Sequence, residues 1–313
     1  MRNNYNQYIL LAFLFVSCLS CKKDEPVKPN QESYALPGNT FFPEGIAYNA
    51  KTGIFYTGST ISGDIVQVNV ATGVSALFSA GAKQGRSFCT GLELDATGRL
   101  WICGGPTNII QVLDKDGNLL KSWDTKALFG SGFINDCVIS GDYIYFTDSQ
   151  IQKVYRAKVT ESQLGNLEEW LSFTNQQIPY GAGTNANGIE VTPDGRYLIV
   201  VISGSGKLYR INIETKNIIE IQLNTTVISG DGLLLDGTTL YVSRNATGLI
   251  FPVQLSVNYS QGLVGNGFGE NLMGNTTMAK ADKYILVVNG QLSRRGGTPP
   301  PVLPFTISRV AVP

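Results

Sequence analysis

The sequence contains no histidine. That absence excludes serine–histidine–aspartate and cysteine–histidine nucleophiles, histidine-bound zinc and imidazole acid–base chemistry. Any catalysis must run on carboxylates, amides, Arg, Lys, Tyr or a metal held by oxygen. Charge is scarce too: Lys plus Arg equal Asp plus Glu at 24 each and charged residues are 15%, which leaves no electrostatic footprint for nucleic acid or acidic partners. Cysteines number five, and nothing among them has the spacing of a thiolate metal site. Cys89 and Cys103 flank one predicted hairpin and could bridge in an oxidising compartment; the other reading is free thiols packed in strands, as Cys137 must be. Helix-period segments are few, whereas the 35 glycines fit an all-β chain with many turns.

What is present is a repeat. Asn187-Gly-Ile-Glu-Val-Thr-Pro-Asp-Gly-Arg-Tyr-Leu-Ile-Val-Val201 reads as two short strands around the turn Pro193-Asp194-Gly195. Its polar-Gly-apolar opening recurs as Glu44-Gly45-Ile46, Thr90-Gly91-Leu92 and Asp231-Gly232-Leu233, with looser versions at Asn135-Asp136-Cys137 and Thr277-Met278-Ala279. The spacings of 46, 45, 52, 44 and 46 residues between these openings are those of propeller blades. The expected fold is therefore an all-β, six-bladed β-propeller spanning 32–313, with blades at about 43–82, 86–124, 132–174, 184–223, 229–268 and 275–313. The last blade has three strands of its own, so Ser33-Tyr-Ala-Leu36 is expected to complete it and close the ring. Two places break the period: an insertion around Thr160 to Glu169, read as one helical turn, and the loop from Gly290 to Pro304.

Ahead of the repeat, residues 1–21 read as an export signal, with Arg2, the apolar stretch Tyr8 to Val16 and small residues before cysteine. Cys18-Leu19-Ser20-Cys21 resembles a bacterial lipobox, which implies a lipidated Cys21, a flexible tether over 22–31, and a monomer anchored to the cell envelope on the periplasmic or the surface side of the outer membrane. The alternative is an ordinary secretory signal.

In a propeller the first strand of each blade lines the central channel, and the end of the second strand returns to the same mouth. Glu44, Thr90, Asn135, Asn187, Asp231 and Thr277 thus form a ring of openings. Ser59, Gly104-Gly105, Asp148, Ser203, Arg244-Asn245 and Asn289-Gly-Gln291 surround it. Two carboxylates and two amides without imidazole or thiolate suit a hard divalent cation, calcium first and zinc or magnesium after it. The competing reading is that these polar residues cap strand ends or hold channel water.

From residue 40 onward the chain resembles the SMP-30/gluconolactonase family of six-bladed propellers. The resemblance rests on Pro43-Glu44-Gly45, Asn135-Asp136, Asn187-Gly188 and Asp231-Gly232 in the first, third, fourth and fifth blades. It implies that Glu44, Asn187 and Asp231 hold one divalent cation with Asn135 beside them, that Asp231 is the catalytic base, and that the reaction is hydrolysis of a lactone or related ester. One departure stands out. Where sugar-lactonase members tend to carry Arg two residues before the third-blade Asn, this chain has Phe133, which points to a less polar small-molecule substrate. Arg244, Arg294 or Arg86 would then supply a cation, with Asn289 among the mouth residues. The rival reading is a lipid-anchored binding propeller without chemistry.

Overall fold

The computed structural model describes Met1 and residues 32–312. Residues 2–31, on which the expected export signal, Cys21 and the expected tether fall, lie outside the described residues. No described helix is long and apolar enough to cross a membrane.

The chain forms an all-β propeller. Strand β1 (Ser33–Ala35) precedes a first antiparallel meander of β2 (Pro43–Asn49), β3 (Ile54–Ser59), β4 (Ile65–Asn69) and β5 (Ser75–Ser79). The second comprises β6 (Leu92–Leu94), β7 (Leu100–Cys103), β8 (Ile109–Leu113) and β9 (Leu119–Asp124), and the third β10 (Ile134–Ser140), β11 (Tyr143–Asp148), β12 (Lys153–Val159) and β13 (Leu164–Ser172). The fourth has β14 (Ala186–Val191), β15 (Tyr197–Ile202), β16 (Lys207–Asn212) and β17 (Ile218–Leu223), and the fifth β18 (Gly230–Asp236), β19 (Thr239–Arg244), β20 (Leu249–Leu255) and β21 (Gln261–Val264). The last runs through β22 (Asn275–Ala281), β23 (Tyr284–Asn289) and β24 (Thr306–Ala311), on whose outer edge β1 pairs with Tyr34 opposite Ile307.

The fourth and fifth meanders are not separate sheets. Their outer strands β17 and β21 pair in parallel through Gln222 with Gln261 and Leu223 with Gly262, giving one eight-stranded sheet beside four four-stranded ones. First strands pack on first strands in succession, β2 on β6, β6 on β10, β10 on β14, β14 on β18, β18 on β22, and β22 again on β2.

Alternation along each strand sends one face to each neighbouring sheet, so the core falls into clusters at the junctions. Trp101, Ile110 and Trp123 of the second meander meet Ile134, Phe146 and Tyr155 of the third, and Tyr34, Phe55, Val66 and Ile307 lock the last meander to the first. Thr192-Pro-Asp-Gly makes the expected tight turn: Gly195 N donates to Thr192 O at 2.8 Å with Gly195 at φ +69°.

The segment around Thr160 to Glu169 differs from expectation. Residues 164–172 are strand, not helix, paired with β12 through two register shifts, because Leu164, Leu167, Trp170 and Leu171 have an apolar face to bury. The extra length lies in that nine-residue strand and in the loop at 173–185. The helix is elsewhere: α1 (Thr125–Phe129) is capped by Asp124, which accepts from Ala127 N at 3.1 Å. Cys89, Cys103 and Cys137 are buried free thiols, so the Cys89–Cys103 bridge does not form.

Candidate functional site

The recurring polar-Gly opening is a β-bulge. In β2 the pairing steps from Pro43–Ser59 to Ile46–Thr57, leaving Glu44 and Gly45 together opposite Gly58. The same slip sets Asn135-Asp136 opposite Thr147, Asn187-Gly188 opposite Val201, and Asp231-Gly232 opposite Ser243. A bulge re-aims a side chain out of the pleat, and its repetition at one level turns a ring of residues to the axis. In the last meander the slip falls on Thr276-Thr277, so the residue matching Glu44 is Thr276, one earlier than the opening read from sequence.

The glycine in second place is required by close approach. A Cβ on Gly45 would sit 2.1 Å from Thr90 O, and one on Gly188 2.4 Å from Asp231 O. Neighbouring inner strands therefore touch backbone to backbone at the hub. In the last meander Thr276 Oγ1 donates to Glu44 O at 2.8 Å, and Thr277 donates to the same carbonyl, so hydroxyls tie the closing strand to the first.

Glu44, Asn135, Asn187 and Asp231 are all buried, between 3% and 5% exposed. Among the described residues six buried side-chain polar atoms lack a hydrogen-bond partner, and three of them are Glu44 Oε2, Asn135 Oδ1 and Asp231 Oδ1. Unsatisfied buried oxygens are costly, about 1–3 kcal/mol each, so three on one hub call for a common positive partner. The nitrogen side of the hub is already held. Asn135 Nδ2 donates to Ser149 Oγ at 2.9 Å, Ser149 Oγ in turn donates to Ala186 O, and Asn245 Nδ2 donates to Asp231 Oδ2 at 3.0 Å.

Electrostatics give the same picture. Burial pushes the Asp231 carboxyl up to about 6, with the amides of Asn245 and Asn187 drawing it back. Glu44 is raised well above the carboxylate range by burial first, then by Asp231 and Asp136, while Arg295 opposes the rise. Among the described residues no group of three or more acidic, histidine or cysteine side chains is placed to hold a metal. The hub instead combines two carboxylates with two amides, a donor set for a hard cation.

Sequence reasoning singled out Asp136 but missed the two carboxylates that join it, Glu93 and Glu190. A cavity of about 250 Å³ among the inner strands is lined by Glu93, Asp136 and Glu190. Burial raises Asp136 to about 7 and Glu190 to about 8, and lifts Glu93 as well. The signal was the matched Gly-Leu-Glu93 and Gly-Ile-Glu190, each placing a carboxylate two residues past the bulge glycine on a channel-lining strand.

Of the mouth residues read from sequence, Phe133 lies at the rim, edge-on to Phe88 at 6.4 Å. Three others are engaged away from the hub. Arg244 Nε donates to Ile228 O at 2.8 Å with its guanidinium over Phe251, Asn289 is bonded to Thr306, Ser308 and Met273 N, and Arg294 donates to Pro300 O at 2.8 Å. Arg86 is buried and tied to Gly63 O, Gln111 and Ser79, so it serves structure. Asp148 accepts from Phe133 N, Gln150 N and Ile151 N, which makes it an organiser of its loop. The cation that does couple to Glu44 is Arg295, next to the residue chosen from sequence. Beside Asn245 a cleft of about 630 Å³ opens between the fifth and last meanders, lined by Met273, Gln291, Leu292 and Arg294 among others, so Arg294 borders this cleft even though its guanidinium is bonded to Pro300 O.

No family model matches the sequence, and no curated protein does. Solved structures match over most of the chain. The calcium-binding protein regucalcin from Agrobacterium tumefaciens has a TM-score of 0.64 at 14% identity, over 90% of this chain and 95% of that one. A gluconolactonase from Xanthomonas campestris has a TM-score of 0.64 at 16% identity, over 89% and 88%. A catalytically inactive histidine-to-alanine virginiamycin B lyase from Staphylococcus aureus, solved with quinupristin, has a TM-score of 0.60 at 15% identity, over 90% and 98%. At these identities the likeness is one of fold.

Proposed function

We propose that the chain is a six-bladed propeller, its ring completed by β1, that hydrolyses a lactone or related ester at the hub with the help of a divalent cation. The observation that carries this is the trio of unpartnered buried oxygens on Glu44, Asn135 and Asp231. With Asn187 they form an all-oxygen set that fits calcium, or magnesium or zinc in its place. A gluconolactonase and a calcium-binding protein among the structural neighbours support the reading. The lyase's chemistry does not carry over in the same way, because replacing a histidine inactivates that protein and this chain has none.

A cation held there would supply Lewis-acid polarisation of the acyl carbonyl and acidify an attacking water. The chain's own groups do the rest. Glu44, Asn135 and Asn187 would hold the cation through their oxygens, and their burial keeps competing water out. The Asp231 carboxylate, oriented by Asn245, takes the proton from water as the new C–O bond forms. The acyl–oxygen bond then breaks, and the proton passes from Asp231 to the departing alkoxide, leaving an alcohol and a carboxylic acid whose remaining proton is lost to solvent.

The test is a panel of lactones and esters on purified protein, with calcium, magnesium or zinc and with EDTA. Metal-dependent turnover lost in Asp231→Ala and Glu44→Ala, with the fold retained, supports the proposal; unchanged turnover in either variant refutes it. Metal and ligand binding without turnover on any member of the panel would favour the alternative, a lipid-anchored binding propeller. For the envelope anchor, Cys21→Ser is expected to move the protein from the membrane fraction to the soluble one.

A further inference from the structure

We infer that the substrate carries a single negative charge on an apolar or aromatic body, recognised by Arg295 together with Phe88 and Phe133; this inference rests on the hub being the reaction site. The Arg295 guanidinium makes no hydrogen bond or ion pair with any described side chain. It lies over the Phe88 ring at 5.2 Å, and Phe133 meets Phe88 edge to face. This is a cation on an aromatic platform, with its donor edge left for a ligand.

The platform is built in. Phe88 lies so close over Gly105 that a Cβ there would be 2.9 Å from its ring, and Gly105 has φ +53°. Arg295 is carried by a fixed loop. Gln291, 1% exposed, clamps Val302 from both sides, its amide donating to Val302 O at 2.9 Å and its carbonyl accepting from Val302 N at 2.8 Å. Arg294 braces the loop by donating to Pro300 O, and Gly297 N donates to Arg294 O at 2.9 Å. Arg295 is itself exposed, so its donor edge is open to a ligand arriving from solvent.

The charge count selects the ligand. Glu44 and Asp231 are matched by one divalent ion, and none of the ion pairs among the described residues involves Arg295. Arg295 is then one positive charge in excess at a rim that is otherwise aromatic. Phe88 packs on Gly105, which sits beside Thr90 and bridges to Ile134, so the guanidinium over its ring stands at the same mouth as the hub. A monoanion with an apolar body, such as a carboxylate-bearing ester or lactone, satisfies both the charge and the rings, whereas a neutral polyhydroxylated sugar lactone satisfies neither.

Phenylacetate and its neutral isostere phenylacetamide are the probes, titrated calorimetrically with calcium present. Wild type is expected to bind phenylacetate at least tenfold tighter than the amide. Arg295→Gln should abolish that preference while binding calcium as wild type does, Arg295→Lys should keep part of it, and Phe88→Ala should weaken both probes without altering their ratio. Equal binding of the two probes, no binding of either, or a preference that survives in Arg295→Gln would overturn the assignment. A calcium titration that fails while the charge preference holds would sink the metal reading instead, so the two failures are told apart.

Discussion

Raising the pH in the presence of EDTA should destabilise the protein, and Glu190 gives the size of the effect. Its carboxyl is raised from 4.5 to about 8, by burial first and by Asp136 after it, against hydrogen bonds from Leu235 N and Val191 N that favour the charged form. The folded state thus holds this proton more tightly than the unfolded chain. Stability from the group is fully present below about pH 4.5 and is lost as the pH climbs through about 8. That window spans about 3.5 pH units, worth roughly 5 kcal/mol for one group at about 1.4 kcal/mol each. Between pH 5 and 8.5 roughly 4 kcal/mol of this is lost, and at about 2 °C per kcal/mol for a domain of this size the melting temperature should fall by about 8 °C. Thermal melts by circular dichroism at pH 5, 6, 7 and 8.5 measure it, with Glu190→Gln as the control that removes this proton and lowers the slope by its share, leaving that of Asp136 and the other buried carboxyls. A melting temperature constant from pH 5 to 8.5, or a slope unchanged in Glu190→Gln, would refute the argument that the channel holds buried, protonated carboxyls.

Tyr34→Ala should cost about 3–5 kcal/mol, as large core truncations do, because its fully buried ring packs on Phe55 and its hydroxyl donates to Val70 O; urea denaturation reads this out. Gly188→Ala should disturb the hub more than the global fold, since its Cβ would press on the Asp231 carbonyl; metal affinity is expected to drop at least tenfold with secondary structure intact by circular dichroism. Trp101→Ala should destabilise by about 3–5 kcal/mol through loss of its stack on Trp123 and its indole hydrogen bond to Asp95, with no effect on metal affinity.

The all-β propeller was legible because its information is local and repeated. Each opening carries a polar residue, four of the six followed by a glycine, and each hairpin carries its own turn residues. The joining of the fourth and fifth meanders through Gln222 and Gln261 was not legible, because pairing between outer edges depends on how two sheets lie in space and leaves no mark on either strand's alternation. The segment at 164–172 was misread for a related reason: its alternation is broken by two register shifts, and short polar runs look helical until their partner strand is known.

At the hub the chain announced Glu44, Asn187 and Asp231 through the glycine that follows each in its bulge, and Asn135 through its place in the repeat. Which arginine faces that axis was not announced. Arg294 and Arg295 are adjacent and chemically identical; only the 3-10 turn at Leu292–Arg294 and the bond to Pro300 send one into the loop and the other over Phe88. The closing threonine was off by one for the same lack of local signal, since Thr276 and Thr277 differ only in which falls first in the slip.

The most direct test of the hub is a calcium titration followed by isothermal calorimetry at pH 7.5, on the wild-type protein and on Asp231→Asn, which keeps shape but removes one charge. One ion per chain in the wild type, and affinity reduced at least a hundredfold in the variant, is the predicted result. Equal affinity in the two proteins, or no heat with calcium, magnesium or zinc, would contradict the claim that Glu44, Asn135, Asn187 and Asp231 share a cation.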